Sequence, residues 1–362
     1  MWGVGKRRAI KIGRSRREKR GDCGGYRCEI ACIDCRLVTV VRYKMCGKLV
    51  FIFILGHYLL AAARLPGRCR RSSQRIAMST IRKVTVVGTG VLGSQIAFQS
   101  AYSGFDVTAY AVNDQSAEQA SQRFAELAET YVREVPGAAD GKTDAAAARL
   151  HLSTDLAAAV ADADLVIEAI PEVLAIKQET YARLAGLAPA RTIFATNSST
   201  LLPSAIKEAT GRPDRFLALH FANQIWKFNT AEIMGTSDTD PAVFDALVQF
   251  AADIGMVPIP VRKEKAGYVL NSLLVPLLNA AAELAEGGYA DPHDVDKVWR
   301  IATGAPMGPF QIYDIIGLNT PYNILSQGGE RERRLANWLK ENYLDQGKLG
   351  VVSGEGFYKY EK

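Results

Sequence analysis

Lys83-Val84-Thr85-Val86-Val87-Gly88-Thr89-Gly90-Val91-Leu92-Gly93-Ser94 decides the fold. Its first five residues are a β-branched run and read as a buried strand. They feed directly into a Gly-x-Gly-x-x-Gly turn, and Ser94 to Ser103 is helical text. Each glycine has its own task. The first permits the tight turn, the second lets backbone approach a pyrophosphate, and the third lets helix and strand pack closely. Free N–H groups at the helix start then face the anion. A lone glycine pattern is weak evidence, but a strand before it and a helix after it make it specific. Gly88, Gly90, Val91, Leu92 and Gly93 are therefore expected to bind a dinucleotide.

Outward from this loop, a second strand spans Val107 to Tyr110. The residue ending such a strand is usually acidic and holds the ribose hydroxyls of NAD. Here it is Ala111, with Asp114 three residues on and no Arg or Lys beside it for a 2′-phosphate. NAD is the expected cofactor, with NADP left open. Further strands are read at Asp164–Glu168, Thr192–Thr196 and Phe216–Phe221, separated in the earlier part by Ala- and Glu-rich helical text. That alternation implies a parallel, doubly wound sheet. Val135 to Ala148 reads as a loop and the second arm of a helical hairpin. After Pro260 the strands stop, and helices are expected at Val269–Glu286, Val295–Ala302 and Arg331–Asn342. The fold class is thus α/β, a Rossmann-type domain over residues 78–262 followed by an all-α domain over 263–362.

The net charge of +6 over 362 residues hides two compositions. Residues 1–77 hold 19 bases against four acids, and all six cysteines; the remainder holds 25 bases against 34 acids. Cys23, Cys28, Cys32 and Cys35 lack two clean Cys-x-x-Cys pairs, so no metal site is expected. The apolar stretch from Leu49 to Ala63 falls short of the roughly twenty residues a spanning helix needs. This leader is read as disordered, or as sequence upstream of a true start at Met78, and neither nucleic acid nor membrane is expected as a partner. A chain beginning at Met78 would keep every expected core element.

Oxidising a secondary alcohol requires hydride loss to a nicotinamide and proton loss to a base. His220 is one of four histidines and the only one at the end of an expected sheet strand, where doubly wound folds place their ligand crevice. An imidazole suits that base role.

Several collinear segments resemble the L-3-hydroxyacyl-CoA dehydrogenase family over about residues 80–360. They are the glycine loop, Asp164 to Glu172, Asn197-Ser198-Ser199-Thr200-Leu201, His220-Phe221-Ala222-Asn223 and Ala231-Glu232. Gly267-Tyr268-Val269-Leu270-Asn271, Gly304 to Phe310 and Gly354-Glu355-Gly356-Phe357-Tyr358 complete the set. The resemblance implies His220 as base, Glu232 as its orienting partner, and Ser199 and Asn271 as contacts of the reacting oxygens. It implies Glu172, Lys177, Asn197 and Asn223 around the nicotinamide ribose, with Ala111 near the adenosine ribose. It also implies a cytoplasmic homodimer, paired through the helical domain, acting on a short-chain (S)-3-hydroxyacyl-CoA. Free 3-hydroxy acids, as in the carnitine and gulonate dehydrogenases, are the alternative substrates, and a nucleotide-binding protein without turnover is a further alternative. The sequence departs from the family in three places. The family continues its histidine segment with Phe-Asn-Pro, where Trp226 and Phe228 now follow; Val352 replaces a basic residue; and the hairpin that grips CoA lacks its Ser and Lys pair.

Overall fold

The computed structural model describes residues 81–360, and the backbone alone of three strands nearer the start. Those strands, Cys28–Ile33 (β1), Arg36–Met45 (β2) and Lys48–Ile54 (β3), pair antiparallel in that order. The sequence reading names no folded motif in this leader; the β-branched runs Val38 to Val41 and Val50 to Ile54 supply two of the strands. The side chains of the cysteine run, and Met78 itself, lie outside the described residues.

A separate unit contains everything from Gln74 onward. Its strands are Lys83–Val87 (β4), Asp106–Tyr110 (β5), Leu150–Ser153 (β6), Leu165–Glu168 (β7), Ile193–Thr196 (β8), Phe216–Phe221 (β9), Thr230–Gly235 (β10) and Val257–Val261 (β11). They form one sheet in the order β11-β10-β9-β8-β7-β4-β5-β6. From β6 to β9 every neighbouring pair is parallel. The glycine loop leaves the C-terminal end of β4, near the middle of this order, as expected of the doubly wound fold. Then the direction reverses: β10 runs antiparallel to β9, and β11 follows β10.

Three strands escaped the sequence reading, for separable reasons. β6, which holds His151, is four residues long, and none of it is fully buried. β10 carries Glu232 among apolar residues. β11 is Val-Pro-Ile-Pro-Val, and two prolines read against a strand. As the outermost strand it tolerates them, because it has one neighbour to bond rather than two.

Helices Val91–Tyr102 (α1), Asp114–Glu134 (α2), Lys142–Ala147 (α3), Leu156–Val160 (α4), Leu174–Leu187 (α5) and Pro241–Asp253 (α6) flank the sheet. α2 and α3 are the expected hairpin. α1 is buried on nearly every face, so it shows little amphipathic pattern. One apolar cluster joins β4, β5, α1 and α6; a second, around Leu184, Phe194 and Phe216, fills the side of α5.

The helical part holds Leu270–Glu286 (α7), Pro292–Thr303 (α8), Pro309–Ile316 (α9), Asn319–Ser326 (α10) and Glu330–Asn342 (α11), around a core of Leu278, Phe310, Tyr313, Leu335 and Phe357. α9 and α10 were not anticipated; each is eight residues long. Two buried carboxylates fasten the end of the chain. Asp296 accepts from the Phe310 and Gln311 amides and the Tyr358 hydroxyl, and Asp314 from the Phe357 and Tyr358 amides and the Tyr360 hydroxyl.

Candidate active site

The reversal at β10 builds the reaction corner. In an antiparallel pair, directly opposed residues point to the same face. His220 on β9 stands opposite Glu232 on β10, and His220 Nδ1 lies 2.9 Å from Glu232 Oε2. Both side chains are buried. Burial opposes the Glu232 charge, but bonds from His220 and from the Leu270 and Val269 amides outweigh it and hold the carboxyl below its usual range. An ionised carboxylate only accepts, so Nδ1 carries the ring proton and Nε2 keeps its lone pair. Ser199 Oγ lies 3.1 Å from that Nε2 and donates to it.

Glu232 also spans the two parts of the unit. Its Oε1 accepts from Val269 N at 2.8 Å and Leu270 N at 3.0 Å, the free amides at the start of α7. A carboxylate there satisfies donors that no helical carbonyl can reach. Asn271 follows directly, half-buried, and its backbone N–H donates to Gly267 O at 3.0 Å.

Ser199 is placed by a second carboxylate. Glu172 Oε1 accepts from Ser198 Oγ at 2.6 Å and from Thr200 N and Thr200 Oγ1, both at 2.8 Å. Burial works against its charge, but these bonds and Lys177 prevail and hold its carboxyl below the usual range. The sequence alone allows a surface salt bridge for Glu172 and Lys177; the two do pair, but on the lysine's side away from the surface. Lys177 is buried against Glu168, with Glu172 Oε2 at 3.4 Å. Glu168 in turn accepts from Thr196 Oγ1 and Ile170 N. Only 1% of Lys177 is exposed, so it stands behind Glu172 rather than at the crevice surface. Glu168 was missed as a site residue, although a charge inside an apolar strand demands a partner and was the available signal.

The glycine loop has the shape its residues imply. Gly88 has φ +105°, and a Cβ on it would meet Ala169 O at 2.6 Å; one on Gly93 would meet Gly88 O at 2.0 Å. Gly90, at the N-terminus of α1, has nothing within 4 Å of its would-be Cβ. Two glycines are thus required by packing, and the third borders open space beside free helix N–H groups, a cradle that suits a pyrophosphate. Val91, next along, is 63% exposed, with Leu92 behind it against the core. Ala111 is buried at the end of β5, and its N–H donates to Ser153 O. Asn197 Oδ1 accepts from Phe221 N, tying the serine loop to the histidine strand, and Asn223 is exposed beyond it.

Two further residues brace this corner. Gln95 of α1 is buried, and its Oε1 accepts from Gln224 N at 2.8 Å, fixing the chain just past His220 where Gln224 adopts φ +59°. Trp226 donates to Glu134 Oε2 and its ring packs on Tyr131 of α2. Its ring braces the hairpin against this loop.

Comparison with known proteins adds to this geometry. The family model described as 3-hydroxyacyl-CoA dehydrogenase, NAD binding domain, matches residues 83–265, and that of the C-terminal domain matches 267–360. The mitochondrial hydroxyacyl-coenzyme A dehydrogenase of Rattus norvegicus is 37% identical over 291 residues, 78% of this chain and 92% of the rat protein. A solved diketoreductase, described for substrate-directed dual catalysis of dicarbonyl compounds, is 62% identical with a TM-score of 0.76, covering 78% of this chain and all of that one. The (S)-3-hydroxybutyryl-CoA dehydrogenase of Ralstonia eutropha is 27% identical with a TM-score of 0.67, over 78% of this chain and all of its own.

Proposed function

The chain belongs to the 3-hydroxyacyl-CoA dehydrogenase family, an NAD-dependent oxidoreductase family, and on that premise we propose that it interconverts short-chain (S)-3-hydroxyacyl-CoA and 3-oxoacyl-CoA. The observation that carries this reading is the Ser199–His220–Glu232 line. Gly88 to Gly93 would hold the pyrophosphate, and Glu172 and Asn223 the nicotinamide ribose, with Asn197 and Lys177 keeping the surrounding loops in place. NAD held there would supply the acceptor for the hydride that leaves C3 of the alcohol. His220 Nε2 takes the hydroxyl proton as Ser199 turns its own hydrogen toward the reacting oxygen. Glu232 stabilises the imidazolium that results, as an orienting carboxylate does for other histidine bases. Ser199 and Asn271 donate to the oxygen on which charge develops.

A second reading, in which the substrate is a dicarbonyl compound without CoA, has two observations in its favour. One is the 62% identity to the diketoreductase. The other is the missing CoA grip. Arg133 is committed to Thr130 and Glu134, Lys142 lies 5.9 Å from the Tyr102 ring, and Val352 is 79% exposed where the family has a base. NADH oxidation is measured with acetoacetyl-CoA, acetoacetate and a simple diketone. The CoA reading expects kcat/KM at least tenfold higher for the thioester; preference for the diketone or the free acid overturns it. Pairing as a homodimer through the helical part belongs to the same proposal. Leu273 of α7, and Val298 and Ile301 of α8, are each about 70% exposed. Sedimentation at the mass of one chain would refute it.

A further inference from the structure

One residue packs on His220 and adjoins the groups that hold Ser199 and Glu232, yet has no part in the mechanism above. Tyr268 lies in the turn between Gly267 and α7 and is buried. Its ring stacks on the imidazole of His220, with centroids 4.5 Å apart and planes inclined by 10°. Its hydroxyl donates to Ser198 O at 2.7 Å, one residue from Ser199. The next two amides along the chain, of Val269 and Leu270, are those that hold Glu232. Its backbone is left-handed, φ +50°, a conformation that a bulky side chain seldom adopts. A strained residue of this kind persists where its surroundings over-determine it, and such residues cluster at functional sites.

The geometry points to Tyr268 as a positioning residue for His220. Glu232 holds the imidazole at Nδ1 and Ser199 meets it at Nε2, but bonds at the two ring nitrogens leave the ring free to tilt about the line that joins them. A flat, parallel aromatic face at van der Waals distance removes that freedom and fixes the direction of the Nε2 lone pair toward Ser199 and the reacting hydroxyl. Because productive geometry must be held within a fraction of an ångström, losing such a face lowers the rate while leaving cofactor binding intact. The hydroxyl serves the serine loop separately. Since Tyr268 begins the turn into α7, the plane of the base is set by the helical part, although the base itself is on the sheet.

This inference rests on His220 as the base, and the test separates the two. Tyr268→Leu should lower kcat roughly tenfold, with the dissociation constant for NADH changed less than about twofold. Tyr268→Phe keeps the ring and should recover kcat to within about threefold of the parent. In a His220→Ala background, Tyr268→Leu should have no further effect on the residual rate, because there is no imidazole to orient. Unchanged kcat in Tyr268→Leu overturns the positioning role, and so does a Phe variant as slow as the Leu variant, or the full tenfold loss in the His220→Ala background. If His220→Ala alone keeps the parental rate, the base assignment fails instead. Should Tyr268→Leu lose NADH binding, Tyr268→Met fills similar volume without a ring face, and the same comparison decides.

Discussion

The glycine loop and the reaction corner sit at the same end of one sheet and are built by opposite means. Between Gly88 and Gly93 the structure depends on side chains being absent, and the spaces they leave are filled by backbone at Gly88 and Gly93. Around His220 it depends on buried polar side chains, each holding the next: Glu232 on His220, His220 on Ser199, Glu172 on Ser198 and Thr200, Lys177 behind Glu172. The loop is therefore short, six residues in the chain, with only Gly88 packed against distant backbone, at Ala169. The corner draws on residues from Glu168 to Asn271, and each depends on partners far away in sequence. A lesion in the loop should act on cofactor binding or the fold, and one in the corner on the rate.

The sharpest contrast is His220→Ala. Removing a general base typically costs about 10²–10⁴-fold in rate, and the dissociation constant for NADH should change less than about threefold. Steady-state kinetics beside a fluorescence titration with NADH measure both, and a near-parental kcat would remove His220 from the mechanism.

Within the loop, two alanine substitutions should part company. Gly93→Ala places a methyl 2.0 Å from Gly88 O, so the turn must shift, and thermal unfolding should show a loss of about 2–3 kcal/mol. Gly90→Ala meets nothing within 4 Å and requires no unusual φ. Its melting temperature should stay within about a degree of the parent, while NADH binding weakens on the order of tenfold because the methyl takes pyrophosphate space. Equal stability losses in both variants would show that the second glycine serves the fold and not a ligand.

Acid should strike the corner and spare the loop. Glu232 and Glu172 are both held below the usual glutamate value of 4.5. A lowered folded value means that their contribution is fully present above that pH and is lost as pH falls through the lowered values. The melting temperature should be level from neutral pH down to about 4.5 and then decline. In Glu232→Gln, which has no charge to lose at that position, the decline should be shallower. An identical slope in parent and variant would assign the acid sensitivity elsewhere.

The smallest effect is expected at the far side of the cofactor. Ala111→Asp should raise the preference for NAD over NADP a few-fold, because a carboxylate there accepts ribose hydroxyls and repels a 2′-phosphate. Ala111 is buried, so desolvation limits the gain. Unchanged constants for both cofactors would mean that another residue sets the preference.

By itself the sequence determined the glycine loop, the strands β4, β5 and β7 to β9, and the long helix α7. Each is announced by a local signal: a β-branched run, a glycine spacing, or a long apolar segment ended by Gly287-Gly288. It also singled out His220, because a histidine at a strand end is rare in this chain. The company His220 keeps was named only through the family resemblance, since nothing local in the sequence announces it. Glu232 lies on a strand that its own residues did not announce, and only the antiparallel register sets the two side chains opposite each other. Lys177 reads as a surface base on a helix, and only the packing of α5 over β7 buries it against Glu168. Tyr268 reads as one aromatic among many, and only the turn into α7 lays its ring on the imidazole. Periodicity and turn chemistry act between near neighbours in the chain, whereas hydrogen bonds and ring contacts in a buried site act between neighbours in space.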